Sequence, residues 1–220
     1  RERYLLPAVR GEKSECLAMS EPDVGSDLRG MKTRARRDGD DFVISGQKVF
    51  ISNGQLCDIL VLATKTDSAA GAKGVTLFLV DTSLPGFRRG KNLKKLGMKA
   101  QDTSELFFED VRVPADCLLG GEEGKGMHQL MGDLPYERLT IALGGVAAME
   151  GAVAETARYV KERKAFGQAI GEFQNTRFKL AEVQANVLAA RAFVDACMVA
   201  HLKGELDAAR AALAKSWVSE

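Results

Sequence analysis

The seven residues Gly120–Gly126, with the sequence GGEEGKG, separate two chemically different parts of the chain. Before them, apolar residues occur in short or alternating runs between turn residues, a pattern typical of β-strands. After them, the sequence is rich in alanine, and apolar residues recur every three or four positions, as on one face of an α-helix. The sequence therefore predicts an α+β fold, with a β-domain over residues 1–120 and a helical domain over residues 121–220.

Four apolar runs mark the strands that we expect in the first part: Phe42–Ile51, Ile59–Ala63, Val75–Val80 and Glu105–Val113. Turn-forming residues lie between them, among them Asn53-Gly54 and Leu84-Pro85-Gly86. The sequence predicts that these strands form an antiparallel β-sandwich or barrel.

Two apolar stripes indicate a helical bundle in the second part. One consists of Leu139, Leu143, Val146 and Met149, and the other of Leu180, Val183, Val187, Ala190, Val194 and Cys197. We expect the first helix to start near Asp133 and Pro135, because acidic residues and proline favour the first turn, and to end before Gly167. Gly204 should end the next helix.

Composition excludes several classes of protein. The formal net charge is only +1, so no basic field is available to hold a nucleic acid backbone. No apolar run approaches the ~20 residues that span a bilayer, so no membrane span is expected. The cysteines form no C-x-x-C pair and the two histidines are far apart, so we expect neither a metal site nor a disulfide framework, but buried thiols. The cysteines are Cys16, Cys57, Cys117 and Cys197.

The glycine-rich segment does not fit a phosphate loop. Leu119 occupies the first glycine position of that motif, and Gly126 follows Lys125 where Ser or Thr is required. No G-x-G-x-x-G follows a strand either, so a Rossmann dinucleotide site is not supported. The chain opens on Arg1 and stops within a helical pattern, so we expect it to be an internal fragment of a longer protein.

Two polar segments of the β-domain are candidate ligand sites. The loop Ser20–Asp27 combines proline, glycine and serine, and can present backbone N–H groups and hydroxyls to an oxygen-rich ligand; the alternative is an ordinary turn. Near a strand end, Phe50 can stack on a planar ring and Ser52 can hydrogen-bond its edge. The alternative there is a plain strand before an Asn-Gly turn.

The order of these segments resembles the acyl-CoA dehydrogenase family. Four stretches that cover nearly the whole chain carry the resemblance: Ser20–Asp27, Gly46–Gly54, Phe107–Pro114, and Glu162–Gly167 with Phe173 and Gln174 just beyond. Val24 departs from the pattern, because the family usually has a smaller residue there. The chain is most similar to the long-chain and isovaleryl branches, including the stretches Arg191–Cys197 and Ala214–Trp217.

The resemblance implies FAD as the cofactor and assigns roles within the β-domain. Residues that match Met19 and Ser20 contact the edge of the flavin ring. Gly25 and Ser26 match residues near the flavin pyrophosphate and the CoA. The matches on the flavin-facing strand are an aromatic residue that flanks the ring, its neighbour, and a hydroxyl near N5; they fall on Phe50, Ile51 and Ser52.

In the helical domain, the resemblance makes Glu137 the base that removes the α-proton, with Tyr136 and Arg138 beside the substrate. A carboxylate in an apolar channel would be desolvated and more basic, although a helix N-terminus would favour its charged form. The alternative for Glu137 is a first-turn glutamate that stabilises its helix.

A second set of residues in the helical domain matches the family's helix-end flavin motif. Arg163 matches an arginine that reaches the FAD of a partner subunit, and Phe166 and Gln174 match its neighbours around the cofactor. The alternative for Arg163 is a cation that complements a helix C-terminus. Both roles are compatible with one side chain.

The resemblance implies FAD-dependent dehydrogenation of an acyl-CoA thioester, with long chains favoured, to the trans-2-enoyl-CoA. It also implies electron-transfer flavoprotein as electron acceptor and a homodimer or homotetramer. The location would be the cytoplasm of a bacterium or the mitochondrial matrix of a eukaryote. Two alternatives stay open: a catalytically silent flavin-fold module for binding or assembly, and a related flavin oxidase or monooxygenase.

Overall fold

The computed structural model describes all 220 residues, Arg1–Glu220, which divide into two compact units. The first, Arg1–Gln129, is called the β-unit below, and the second, Leu130–Glu220, the helical unit. The sequence predicted a domain boundary after residue 120. The boundary between the two units lies further along the chain, within the first turn of a long helix.

The β-unit begins with a short helix, α1 (Leu5–Val9), and contains one seven-stranded sheet curled into a half-barrel. All four predicted strands are present. The strands are β1 (Glu15–Ala18), β2 (Arg34–Asp38), β3 (Asp41–Ser52), β4 (Ile59–Lys65), β5 (Val75–Asp81), β6 (Phe87–Asn92) and β7 (Thr103–Pro114).

Most neighbouring strands of this sheet are antiparallel, and the predicted α+β fold class is confirmed. The strand order is β1-β4-β2-β3-β7-β6, with β5 paired to β4. Two pairings, β1 with β4 and β2 with β4, are parallel and were not predicted. The two longest strands, β3 and β7, pair with two shifts of register, one between Ile44 and Gly46 and one between Lys48 and Ile51.

The core of the β-unit follows from the alternation of side chains along its strands. Phe42 and Ile44 of β3, and Leu106 and Phe108 of β7, point inward and are buried. Phe42 meets Phe78 of β5 edge-on, with ring centroids 4.8 Å apart. Each fully buried side chain of this size contributes roughly 1.5–3 kcal/mol through removal of apolar surface from water.

Three helices and a small hairpin make up the rest of the chain. They are α2 (Gly126–Glu162), the hairpin strands β8 (Lys164–Ala165) and β9 (Gln168–Ala169), α3 (Gln174–Leu202) and α4 (Ala208–Val218). The predicted helix start near Pro135 is wrong, since α2 begins at Gly126, whose Cα lies against the backbone of Val75 and Thr76. The predicted end before Gly167 and the break at Gly204 are confirmed.

The predicted stripes meet in a helical core. Leu139 and Val146 of α2 are buried with Ala190 and Val194 of α3 and with residues of α4. A β-carbon at Gly145 would lie 2.5 Å from Val218 Cγ1, so glycine is what allows α2 and α4 to approach this closely.

The early part of the second stripe does not join this core. Val183 is exposed, and with the half-buried Leu180 it lines an open apolar groove of about 450 Å³. By length and composition, α2 and α3 are each apolar enough to cross a membrane. Core helices of soluble bundles meet the same criteria, so the absence of a span remains a prediction.

Candidate functional site

A buried ion pair holds the predicted flavin-edge loop against strand β3. Lys48 Nζ of β3 donates to Glu21 Oε1 over 2.8 Å, and the two side chains are 0% and 4% exposed. The Glu21 carboxylate also accepts the backbone N–H groups of Lys32 (2.7 Å) and Thr33 (3.0 Å). Three donors therefore satisfy one carboxylate, which is how a buried charge becomes tolerable.

Burial and ion pairing shift the pKa values of Lys48 and Glu21 in opposite directions. Burial lowers the pKa of Lys48 to about 8, and the hydrogen bond and charge of Glu21 only partly reverse that shift. Burial acts to raise the pKa of Glu21, but the hydrogen bonds from Lys48, Thr33 and Lys32 outweigh it and lower the pKa. Both groups are therefore ionised at neutral pH.

Lys48 and its neighbour Val49 fix the backbone of the two residues predicted at the ring edge. Lys48 Nζ donates to Met19 O (2.9 Å), and Val49 N donates to Ser20 O (2.9 Å). Met19 and Ser20 are half-buried. The Ser20 hydroxyl has no hydrogen-bond partner within the chain, so the backbone is fixed while the hydroxyl stays available to a ligand.

The next part of the loop is open to solvent. Gly25 and Ser26 are exposed, and a β-carbon at Gly25 would meet no atom within 4 Å. Val24, the departure from the family pattern, is buried, and its backbone forms two hydrogen bonds with Glu21 (2.9 and 3.0 Å). The larger side chain therefore packs inside the loop and leaves the outer surface at Gly25 clear.

A bulge at the end of β3 turns Phe50 outward. Phe50 has a left-handed backbone (φ 60°) and is 66% exposed, at the register shift between Lys48 and Ile51. Left-handed backbone costs a residue with a side chain roughly 1–2 kcal/mol, and such strain clusters at functional sites. The bulge presents an aromatic ring that packing alone would not leave exposed.

The two residues after the bulge differ in their exposure to solvent. Ile51 is buried in the core, so it can offer a ligand only its backbone. Ser52 is exposed, and its hydroxyl has no hydrogen-bond partner within the chain. Since Val49 binds Ser20, the β-unit brings the predicted loop and the predicted strand end side by side.

Glu137 lies on the face of α2 that points away from the helical core. It is exposed, and the residues one, two and three turns further along the same face are Ile141, Gly144 and Ala148, all exposed. Glu137 is eleven residues beyond the start of α2 at Gly126. The alternative of a first-turn glutamate is therefore wrong, and the helix N-terminus exerts little influence on Glu137, because that effect falls off within one turn.

The two neighbours of Glu137 differ in their surroundings. Tyr136 stacks on His201 with ring centroids 5.0 Å apart, beside a cleft of about 480 Å³ that Pro135 and Gly132 also line. Arg138 is half-buried and forms no ion pair within the chain, so its guanidinium is available to an anionic group.

The helix-end motif forms an exposed hairpin. Phe166 sits at its turn with a left-handed backbone (φ 54°) and is 96% exposed, with Phe173 edge-on at 6.2 Å. Arg163 follows the last residue of α2, is exposed and forms no ion pair, so its position also fits the alternative of complementing a helix C-terminus. Gln174 is the exposed first residue of α3.

The sequence did not single out Glu21 or Lys48. A signal was present, because Phe42, Ile44 and Lys48 share the inward register of β3, where a lysine is unexpected. A charged residue in an inward position calls for a buried partner, and the Glu21 carboxylate supplies it.

Comparison with known proteins gives matches to two family models. Residues 16–111 match the model described as acyl-CoA dehydrogenase, middle domain, and residues 124–220 match acyl-CoA dehydrogenase, C-terminal domain. The first match ends before the glycine-rich segment, the second begins within it, and together they include most of the chain.

Individual relatives agree. The chain is 48% identical to the mitochondrial long-chain specific acyl-CoA dehydrogenase of Rattus norvegicus over 221 residues, which are 100% of this chain and 51% of the rat protein. It is 42% identical to the mitochondrial isovaleryl-CoA dehydrogenase of Pongo abelii over 196 residues, 88% of this chain and 46% of that protein. The chain thus spans about half the length of the curated relatives it matches.

A solved structure shares the fold. The crystal structure of an acyl-CoA dehydrogenase from Geobacillus kaustophilus has a TM-score of 0.95 and 43% identity, and the match covers 99% of this chain and 57% of that one. Models of one family match residues in both units, and the rat relative aligns with the whole of this chain, so the chain belongs to the acyl-CoA dehydrogenase family.

Proposed function

We propose that the complete protein introduces an α,β double bond into an acyl-CoA thioester, with FAD as cofactor and Glu137 as the base. The observation that carries this proposal is the position of Glu137, an exposed carboxylate on an apolar face of α2 that the helical core does not use. The buried carboxylate Glu21 is paired with Lys48, whereas Glu137 forms no ion pair within the chain and is free to accept a proton from a ligand.

The β-unit carries groups that suit a flavin. An exposed aromatic ring, Phe50, fits the face of a planar ring system, and the free hydroxyls of Ser20 and Ser52 fit its polar edge. The open backbone at Gly25 and the Ser26 hydroxyl suit phosphate oxygens. When bound, FAD supplies the acceptor for the hydride that leaves the β-carbon.

In the helical unit, we assign FAD contacts to Phe166, Gln174 and Arg163, the last toward a partner subunit. The planar donors of Arg163 fit a phosphate, and no carboxylate of the chain occupies them. This assignment requires an oligomer, so we infer a homodimer or homotetramer.

The role of Glu137 is to take the α-proton of the substrate. A carboxylate is a competent base when an apolar surrounding makes its charged form less stable, and Ile141, Gly144 and Ala148 offer such a surrounding once substrate covers the face. Arg138 and Ser26 then hold the CoA portion, and Tyr136 lies beside the acyl chain.

The similarity to long-chain relatives favours a long acyl chain, and electron-transfer flavoprotein is the acceptor that we assign. The rat and Pongo abelii relatives are named mitochondrial, and the Geobacillus one is bacterial. We therefore infer the mitochondrial matrix in a eukaryotic source and the cytoplasm in a bacterial one.

The test uses the full-length protein with its native flanking segments. Glu137→Gln keeps the size of the side chain and removes the base, so kcat with a panel of acyl-CoA lengths and an artificial electron acceptor should fall about 100- to 10,000-fold. FAD content, read from flavin absorbance, should not change.

Glu155→Gln is the matched control, because Glu155 is exposed on the same face of α2 about five turns further along, and its turnover should equal that of the unaltered protein. Full turnover in Glu137→Gln would remove Glu137 from the mechanism. An unaltered protein that holds FAD but turns over no acyl-CoA would favour the silent flavin-fold module instead, and rapid oxidation of acyl-CoA by oxygen alone would favour an oxidase.

A further inference from the structure

Two buried cysteines of the β-unit lie in direct contact. Cys16 of β1 donates its S–H to Cys57 Sγ over 3.3 Å, and both residues are buried. Cys57 stands two residues before β4, which pairs in parallel with β1. None of the proposed functional residues uses either thiol.

The sheet fixes this distance from both sides. Asp58 N and Ile59 N donate to Ser14 O (2.8 and 3.1 Å), and Ser14 N donates to the Asp58 carboxylate (2.8 Å). A disulfide needs a sulfur separation of about 2.05 Å, so the pair has only about 1.3 Å to close. Side-chain rotation, rather than movement of the strands, can supply it.

The surroundings make the two thiols unequal. The hydrogen bond from Cys16 lowers the pKa of Cys57 despite its burial, and the nearby Arg89 guanidinium acts in the same direction. Arg89 is held there by bonds to Cys57 O (2.6 Å) and Gly54 O (3.2 Å). By contrast, burial raises the pKa of Cys117 and of Cys197.

We propose that Cys16 and Cys57 are a redox modification site that a peroxide converts into a reversible intramolecular disulfide. The Cys57 thiolate attacks one oxygen of hydrogen peroxide, the O–O bond breaks, and the departing hydroxide takes up a proton to leave as water. Cys57 is then a sulfenic acid. The Cys16 sulfur attacks it, its proton passes to the departing hydroxide, and a second water leaves. Two thiols are oxidised and one peroxide is reduced.

This bond would close a ring around the β-unit's ligand-facing segment. Met19, Ser20, Gly25, Ser26, Phe50, Ile51 and Ser52 all lie between the two cysteines in sequence. A cross-link across such a loop restricts the unfolded chain, so the oxidised protein should melt at a higher temperature than the reduced one.

The experiment treats the reduced full-length protein with a small excess of hydrogen peroxide, then alkylates it with iodoacetamide in denaturant and maps the peptides by mass spectrometry. We expect a cross-linked peptide containing Cys16 and Cys57 that is 2 Da lighter than its two parts, lost again after dithiothreitol. Cys117 and Cys197 should not react with peroxide and should be fully alkylated, so they act as internal controls.

Three outcomes would overturn the proposal: full alkylation of Cys16 and Cys57 after peroxide, a stable sulfinic acid on Cys57 without a cross-link, or a cross-link between two chains. A Cys16→Ala variant sharpens the test, since Cys57 should then be oxidised without a resolving partner. Because the mapping is decisive in the unaltered protein, the result does not depend on that variant folding, nor on whether FAD binds.

Discussion

The β-unit and the helical unit present the residues that we propose to contact a ligand in different ways. In the β-unit, the backbone carbonyls of Met19 and Ser20 accept hydrogen bonds, one of them from a lysine side chain that also forms a buried ion pair. In the helical unit, Glu137, Arg163 and Gln174 are exposed, and their positions follow from the helices that carry them.

The contrast shows two ways to position a functional group. A loop has no regular geometry of its own, so the β-unit uses a desolvated charge pair to hold one conformation. A helix fixes its side-chain directions by its period, and no additional contact is needed to orient Glu137. A substitution of a supporting residue in the β-unit should therefore also disturb the residues that it holds. A substitution in the helical unit should affect only the residue that is changed.

Lys48→Met should produce the largest effect, because it removes the cation of the buried pair that holds the β-unit loop. It leaves the Glu21 carboxylate buried without its cation, a change that costs about 3–5 kcal/mol in comparable buried pairs. We expect the free energy of unfolding, measured by urea denaturation of the apoprotein, to fall by that amount. The same variant should purify with less FAD, because the Met19 carbonyl loses its hydrogen bond from Lys48 and the adjoining loop loses the ion pair of Glu21.

Lys32→Met is the control for this prediction. Lys32 lies between β1 and β2 and pairs with Asp23 of the Ser20–Asp27 loop over 2.6 Å, but both side chains are largely exposed, so stability and FAD content should stay unchanged. Equal losses in the two variants would show that an exposed ion pair contributes as much as the buried one, and the buried pair would not be the support that we describe.

The pH dependence of stability tests the same buried pair through a smaller effect. The pKa of Lys48 is about 8 in the folded protein, below the ordinary 10.5, so between these values the unfolded state binds more protons. The contribution of Lys48 to the free energy of unfolding therefore rises with pH, by at most about 1.4 kcal/mol per pH unit.

The measurement is the difference in unfolding free energy between the unaltered protein and Lys48→Met at pH 8 and pH 9. Other groups titrate in both proteins and cancel. We expect the difference to grow by about 1 kcal/mol in favour of the unaltered protein. A difference that shrinks would mean that Glu21 raises the pKa of Lys48 more than burial lowers it.

Regular structure was predictable from the sequence where its cause is local. The four predicted strands are alternating or short continuous apolar runs, and α2 ends where Lys161 and the Gly167 turn predict. The start of α2 was not predictable, because Pro135 fits a first turn better than an interior one. Contacts that are remote in sequence decide it: Gly126 packs on the β5 backbone, and Gln129 Nε2 donates to Leu119 O.

The resemblance proposed the residues of the candidate site, which stay a prediction, but it gave none of the geometry that the structure shows. The outward turn of Phe50 depends on a register shift against β7, a pairing between strands that lie far apart in sequence. Likewise, the ion pair of Glu21 and Lys48 joins residues 27 apart. Such contacts leave only a faint trace in sequence, here a lysine in an inward register.

Phe50 and Phe166 give the smallest and most direct comparison of the two units, since each is an exposed aromatic residue with a left-handed backbone. Replacing each by alanine and by glycine removes the ring equally but only glycine relieves the strain. The relief of roughly 1–2 kcal/mol exceeds the greater entropy that glycine loses on folding, about 0.5–1 kcal/mol. At both positions the glycine variant should therefore be more stable than the alanine variant by about 0.5–1 kcal/mol.

Phe178, exposed within α3, is the control, because its backbone is helical and glycine there should be less stable than alanine by about 1 kcal/mol. Urea midpoints of the six apoproteins test the pattern. A glycine advantage at Phe50 alone would mean that only the β-unit stores strain at its exposed ring. An advantage at both positions, with lower FAD content in all four variants, would mean that the two units differ in how they hold polar groups but share one way of exposing an aromatic ring.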